Sequence, residues 1–211
     1  AAEIAHEIRN PLMVIRLLFD SLGLEQSEDE AKNKDLFVIR EKLDHLEQIA
    51  GRILDFGKSR ETFRKPFSLK EIIEDAGLLV RLKLEQCHVT LHINEFPDDL
   101  FVFVDKGQIQ QALLNLMLNA LVAMPKGGKL ILEAGRSEKG KAQILVKDTG
   151  TGIRQELQGR IFDSFLTGTT EGTGLGLSIS KRILRAHDGD LDLLESGNDG
   201  TVFKITLPLS N

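Results

Sequence analysis

The first part of the chain has an apolar pattern that repeats every three or four residues. The pattern runs over 1–24, is interrupted by Gly23 and a polar stretch, and resumes over 35–56. Such spacing is typical of helices that pack along an apolar seam. Two antiparallel helices alone would expose too much apolar surface, so we expect a helical hairpin that pairs with a second copy as a dimeric four-helix bundle. The seam positions are Ile4, Ile8, Leu12, Ile15, Phe19 and Leu22 in the first helix, and Leu36, Ile39, Leu43, Leu46, Ile49, Ile53 and Phe56 in the second.

After Pro66 the pattern changes to mixed helices and strands. Ser68 and Glu71 have the spacing of a capping box at the start of the first helix in this part. The pattern therefore predicts an α+β fold, in which the helical hairpin (1–65) is followed by an α/β sandwich (66–211) whose mixed sheet is covered by helices on one face. Helices are predicted over 69–84, 108–124 and from 176 onward, and strands over 89–93, 101–104, 129–134, 142–146, 191–194 and 202–207.

Composition and charge exclude some classes of function. The chain has 211 residues, of which 41% are hydrophobic, enough for two small globular domains. A net charge of −5 argues against non-specific nucleic-acid binding, which needs a basic surface. The single cysteine, Cys87, excludes an internal disulfide and is interpreted as a packed core residue. No apolar run has the length of a membrane span, so we expect a cytoplasmic protein, or the cytoplasmic part of a longer and membrane-anchored one.

Glycines cluster at the two ends of the stretch 148–177. Glycine lets the backbone approach a ligand closely, and free N–H groups at a helix N-terminus bind phosphate. Asp148 follows an alternating apolar strand, so its carboxylate is expected at a strand end, where it would accept a hydrogen bond from an amino group such as that of adenine. The clusters comprise Gly150 and Gly152 at one end and Gly172, Gly174 and Gly176 at the other.

Two pairs of polar residues have helical spacing. His6 and Asn10 lie one turn apart beside Pro11, which predicts a kink, but an exposed helical histidine is more often an ordinary solvated residue. Asn115 and Asn119 also lie one turn apart. Buried paired amides can simply bond one another or a neighbour, and their oxygens equally suit Mg²⁺ beside nucleotide phosphates. The residues alone leave both choices open.

Five segments in a fixed order resemble the transmitter core of two-component sensor histidine kinases. They read A-H-E-I-R-N-P-L, N-L-M-L-N-A, D-T-G-T-G-I, F-D-S-F and G-T-G-L-G-L-S-I, like the H, N, G1, F and G2 boxes of that family. The resemblance implies a dimerisation and histidine-phosphotransfer hairpin followed by an ATP-binding domain of the gyrase, Hsp90 and MutL type. It also implies a homodimeric protein-histidine kinase that uses ATP and Mg²⁺, takes a response regulator receiver domain as partner, and receives its signal from an upstream sensory or linker segment.

The resemblance implies roles for the residues that match these boxes. His6 would accept the γ-phosphoryl group, Glu7 would be its acid–base partner, and Asn10 would support dephosphorylation of the regulator. Asn119 would be the main magnesium ligand, with Asn115 beside it. The remaining nucleotide contacts would come from Asp148 at the adenine, from Gly150 and Gly152, from Phe162 and Phe165 as anchors of the ATP lid, and from Gly172, Thr173, Gly174, Leu175 and Gly176.

Two departures from the family pattern keep other functions open. Thr169 stands where many members have a lysine, so the phosphate charge would have to be met by other groups, and Arg160 is one candidate. The usual His-Gly-Gly is replaced by a predicted turn at 187–189. One alternative is a non-kinase ATPase of the same fold, a class that commonly has a glutamate where Asn115 stands. The other is a catalytically silent scaffold with a vestigial nucleotide pocket, which Thr169 favours.

Overall fold

The computed structural model describes residues 15, 39, 63–137, 139–164, 166 and 174–210. The chain divides into two compact units, Ala1–Glu61 and Thr62–Asn211. Of the first unit, Ile15 and Ile39 are described, and both are helical. The rest of the predicted hairpin, and with it the four-helix bundle, lies outside the described residues.

The second unit is an α/β sandwich built on a five-stranded mixed sheet. Its strand order is β2-β4-β5-β7-β6, and only β2 and β4 run parallel, so the predicted mixed sheet is confirmed. A separate two-stranded antiparallel sheet joins β1 to β3. The strands are β1 (Lys65–Ser68), β2 (Val89–Ile93), β3 (Phe101–Val104), β4 (Gly128–Arg136), β5 (Ala142–Asp148), β6 (Asp190–Gly197) and β7 (Gly200–Leu207).

Three longer helices and one short helix complete the described part of this unit. They are α1 (Leu69–Gln86), α2 (Lys106–Ala123), α3 (Gln155–Gln158) and α4 (Gly176–Arg185). α1 packs on β2, α2 on β5 and β7, and α4 on β6 and β7. In the described ranges, no helix combines the length and the hydrophobicity that a membrane crossing requires.

The central strands have one apolar and one charged face. Alternate residues of β5 are buried, and Ile144 and Val146 pair with buried residues of β7. The opposite face carries ion pairs, such as Lys147 with Glu133 at 2.7 Å. Because only one face is apolar, the helices cover that face alone, as the sequence predicts.

Two local predictions are wrong at the edges of α1. Ser68 is the N-cap residue, but its side chain makes no capping hydrogen bond, so the capping box does not form. Glu71 instead pairs with Lys106 at the start of α2. Cys87 is half-buried at the C-cap of α1 and not a core residue.

Candidate functional site

Asp148 lies at the end of β5, in the row of side chains that faces the helices. It is 8% exposed, and it is the only acidic residue in the buried class among the described residues. The backbone N–H of Gly150 donates to its Oδ1 at 2.8 Å, and the backbone N–H of Thr201 also bonds the carboxylate. Burial raises the pKa of Asp148, and the two backbone hydrogen bonds oppose that rise only in part. A buried carboxylate with backbone partners keeps lone pairs that a ligand can use.

The loop after Asp148 needs its glycines for packing against the protein. A Cβ on Gly150 would lie 2.6 Å from the carbonyl oxygen of Ala123, the last residue of α2. The N–H of Thr151 donates to the same oxygen at 3.0 Å. Gly152 has a φ of +70°, and a Cβ there would collide with the carbonyl of Gly197. The two glycines therefore let this loop lie between the end of α2 and the β6–β7 turn.

Polar groups that no sequence motif indicates hold the loop from the other side. Ser196 Oγ accepts a hydrogen bond from the N–H of Ile153 at 2.8 Å and lies 3.2 Å from Thr201 Oγ1. Gln158 Nε2 donates to the carbonyl oxygen of Ile153 at 2.9 Å. Since Ser196 lies 43 residues from Ile153 in the sequence, local sequence patterns could not have found this contact.

α2 and α4 lie side by side and antiparallel. Ser180 Oγ donates to the carbonyl oxygen of Ala112 at 3.4 Å, and Asn115 Nδ2 donates to that of Gly176 at 3.4 Å. Because the two helices run in opposite directions, a step along α2 toward higher residue numbers is a step along α4 toward lower ones. Asn119, one turn beyond Asn115, therefore lies past the first residue of α4, on the side where α2 approaches the loop after Asp148.

The two asparagines of α2 have different surroundings. Asn115 is half-buried, and its Nδ2 faces both Gly176 O and, at 3.3 Å, Ser180 Oγ. Asn119 is exposed, and its side-chain amide makes no hydrogen bond within the described part of the chain. The amide of Asn119 is thus available to a ligand, whereas the nitrogen of Asn115 is occupied by α4.

The start of α4 has no side-chain cap. Leu175 is its N-cap residue and is fully buried, and Gly174 before it has a φ of +65°. Ser178 Oγ donates to the Leu175 carbonyl at 2.9 Å and so does not accept from the first-turn amides in that arrangement. The N–H groups of this turn remain suited to an anion.

His187 joins the far ends of the same two helices. It is fully buried, with Nδ1 2.8 Å from the carbonyl oxygen of Ile183 and Nε2 accepting from the N–H of Asp105 at 3.1 Å. A neutral imidazole with its proton on Nδ1 satisfies both bonds. Asp105 also caps α2 by accepting from the N–H of Gln108 at 3.2 Å. An aspartate just before a helical pattern is a recognisable cap signal, and it explains why α2 starts earlier than predicted.

Some predicted site residues lie outside the described residues, so their roles stay predictions. Phe162 is described: it is half-buried, and its ring lies under Lys181 of α4, 4.2 Å from Nζ to the ring centroid. Arg160 pairs with Asp163 at 2.9 Å. The residues outside are His6, Glu7, Asn10, Phe165, Thr169, Gly172 and Thr173.

Comparison with known families shows which family this chain belongs to. The family described as "Histidine kinase-, DNA gyrase B-, and HSP90-like ATPase" matches residues 104–211, and the "His Kinase A (phospho-acceptor) domain" matches residues 1–62. The chain belongs to the two-component sensor histidine kinases. The resemblance predicted from the five segments is confirmed.

Curated relatives and solved structures agree with this membership. The histidine-protein kinase AtoS of Escherichia coli K12 is 32% identical over 210 residues, which cover 99% of this chain and 34% of AtoS. Sporulation kinase D of Bacillus subtilis 168 is 34% identical over 213 residues, covering 100% of this chain and 41% of that kinase. The chain thus spans less than half the length of either relative. A crystal structure of the histidine kinase ThkA in complex with the response regulator protein TrrA matches with a TM-score of 0.74 and 30% identity, over 99% of this chain and 60% of ThkA.

Proposed function

We propose that this chain transfers the γ-phosphoryl group of ATP to His6 and passes it to an aspartate of a response regulator receiver domain. The observation that carries the proposal is the buried carboxylate of Asp148 beside the glycine loop. The exocyclic amino group of adenine can donate to this carboxylate, whereas guanine presents an acceptor at the same place. The site therefore favours adenine over guanine nucleotides.

The phosphates would lie toward the start of α4. Its first-turn N–H groups have no side-chain cap, and Gly174 and Gly176 leave the backbone accessible there. The exposed amide of Asn119 suits Mg²⁺, and the Oδ1 of Asn115, which has no partner among the described residues, would support it while the nitrogen of Asn115 holds α4. When bound, Mg²⁺ would neutralise phosphate charge.

The transfer to His6 is a nucleophilic displacement. A ring nitrogen of His6 would form a bond to the γ-phosphorus as the bond to the β,γ-bridging oxygen breaks, and ADP would leave. Glu7 would accept the imidazole proton, because its neighbouring position gives it the reach of an acid–base partner. In this proposal residues 1–65 are the dimerisation and phosphotransfer domain, and residues 66–211 are the catalytic domain.

The partners follow from the same assignment. Ile15 and Ile39, two of the predicted seam positions, are 48% and 45% exposed in the single chain, which supports a homodimer that covers them. The complex of ThkA with the response regulator protein TrrA supports a receiver domain as the phosphoryl acceptor. We place this activity in the cytoplasm. In the longer relatives, the corresponding region is joined to further segments.

Labelled ATP tests the function directly. The unmodified chain with Mg²⁺ should acquire an acid-labile label, and His6→Ala should acquire none, while His45→Ala should label normally. Label that persists in His6→Ala would contradict the choice of His6. ATP hydrolysis without labelling would identify a non-kinase ATPase, and ATP binding with neither reaction would identify a silent scaffold.

A further inference from the structure

Lys181 of α4 is held by several groups at once. Its side chain is 16% exposed, and its Nζ donates to the carbonyl oxygen of Leu191 at 2.7 Å. Two carboxylates of β6 also face it, Asp190 at 3.3 Å and Asp192 at 4.0 Å. Its Nζ lies 4.2 Å from the centroid of the Phe162 ring. A largely buried ammonium is tolerated when such partners replace its water.

These contacts connect α4 to two separate parts of the fold. The carbonyl of Leu191 and the two carboxylates belong to β6, whereas Phe162 lies in the turn that follows α3. Lys181 is five positions beyond Gly176, the residue at which α4 begins. Lys181 therefore contributes to holding α4, whose first residue is also bonded by Asn115.

We propose that Lys181 is a positioning residue for the phosphate groups of a nucleoside triphosphate. Its contact with Phe162 and its bonds to β6 hold α4 against that side of the fold, in addition to the bonds of α4 to α2, so that the N–H groups of the first turn meet the phosphates. The inference rests on the proposed function, because it assumes that these N–H groups bind phosphate. Lys181 acts through α4 and does not touch the nucleotide.

Arg185 offers a matched control on the same helix. It lies one turn beyond Lys181 and pairs with the same carboxylate, Asp190, at 3.3 Å. Its side chain is 64% exposed, and within the described part of the chain it pairs with that carboxylate. Arg185→Met therefore removes a cation from α4 without removing a contact to Phe162.

Binding of Mg²⁺-ATP and of adenosine is measured by calorimetry for the unmodified chain, Lys181→Met, Lys181→Arg, Phe162→Leu and Arg185→Met. We expect Lys181→Met to weaken ATP binding by about tenfold while the adenosine affinity stays within about twofold. Lys181→Arg should recover most of the loss, and Arg185→Met should bind like the unmodified chain. Phe162→Leu should also weaken the binding of ATP but not that of adenosine. The double variant with Lys181→Met should lose less ATP affinity than the sum of the two single losses.

Several results would overturn the inference. An unchanged ATP affinity in Lys181→Met, or an equal loss of ATP and adenosine, would reduce Lys181 to a structural ion pair. An equal loss in Arg185→Met would show a general charge effect.

Thermal melting checks the fold of each variant. If Lys181→Met does not fold, an unchanged ATP affinity in folded Phe162→Leu overturns the inference. Failure of the unmodified chain to bind ATP would overturn the proposed function as well, whereas binding that Lys181→Met retains in full overturns this inference alone.

Discussion

The Nε2 atom of His187 accepts a hydrogen bond from the backbone N–H of Asp105, 3.1 Å away. Asp105 caps the start of α2 and His187 follows the end of α4. The bond therefore joins the N-terminal end of α2 to the C-terminal end of α4, which are neighbours because the helices are antiparallel. The contact of Asn115 with Gly176 joins the same helices nearer the candidate site. The two contacts together fix the alignment that places Asn119 beyond the start of α4.

His187→Leu should destabilise the protein. The substitution keeps an apolar side chain of similar size but leaves the N–H of Asp105 without its acceptor, which costs about 1–3 kcal/mol of unfolding free energy. Urea unfolding measures the change. The control is His92→Leu at an exposed position of β2, where we expect a change within about 0.5 kcal/mol. Equal effects of the two substitutions would show that the buried bond is unimportant.

Gly150→Ala should lower stability and disturb the loop. The added Cβ would lie 2.6 Å from the carbonyl oxygen of Ala123, and such overpacking costs about 1–3 kcal/mol. Gly159→Ala is the matched control, since its φ is −70° and no atom lies within 4 Å of the added Cβ. There we expect no loss, or a gain of up to about 1 kcal/mol. Thermal and urea unfolding measure the stability of both variants. A Gly150→Ala variant as stable as the unmodified chain would contradict the close contact.

Asp148→Asn should remove a pH dependence of stability. Burial raises the folded-state pKa of Asp148 above its usual 3.8, so the folded state keeps this proton to higher pH than the unfolded state. The stability of the unmodified chain should therefore fall as the pH rises from about 3.8 through the raised pKa, and level off above it. Asparagine does not titrate, so the stability of the variant minus that of the unmodified chain should increase across this window. Urea unfolding at a series of pH values measures the difference; a constant difference, or one that increases toward acid, would contradict the direction of the shift.

Asn115→Ala and Asn119→Ala should differ in what they affect. Asn115→Ala removes the bond to Gly176 and should lower the unfolding free energy by about 1 kcal/mol. Asn119 is exposed, so Asn119→Ala should change stability by less than about 0.5 kcal/mol while weakening ATP binding mainly when Mg²⁺ is present. Urea unfolding and calorimetry with and without Mg²⁺ give the two quantities. A Mg²⁺-independent effect of Asn119→Ala would argue against its role as a metal ligand.

Asn10→Ala tests the expectation that the protein also dephosphorylates its response regulator. Asn10 follows His6 by four residues in the sequence, and an amide near the histidine can orient a water toward an aspartyl phosphate without adding charge that repels it. The variant should therefore label normally on His6 but prolong the phosphate lifetime of the cognate regulator. Equal lifetimes with the unmodified chain would leave Asn10 only the role of a residue that tolerates the backbone before Pro11.

The sequence by itself determined most elements of the second unit, and it indicated the residues of the candidate site. Alternation and helical spacing are properties of neighbouring residues, so they predicted β2 to β7, the three longer helices and the position of Asp148 at the end of β5, but they missed β1. The predicted capping box, in contrast, is wrong because Glu71 has a partner that is distant in the sequence. Glu71 pairs with Lys106, which is 35 residues away, and a rule confined to four neighbouring residues cannot include that partner.

Only the tertiary structure decided what these residues contact. Asn115 and Asn119 are equivalent in the sequence, yet the packing of α4 against α2 occupies the nitrogen of Asn115 and leaves Asn119 exposed. Lys181 stands in an ordinary helical position until the fold brings the ring of Phe162 beneath it. Such differences depend on which elements meet across long stretches of chain. Local periodicity contains no information about those meetings, because each is selected by the packing of the whole unit.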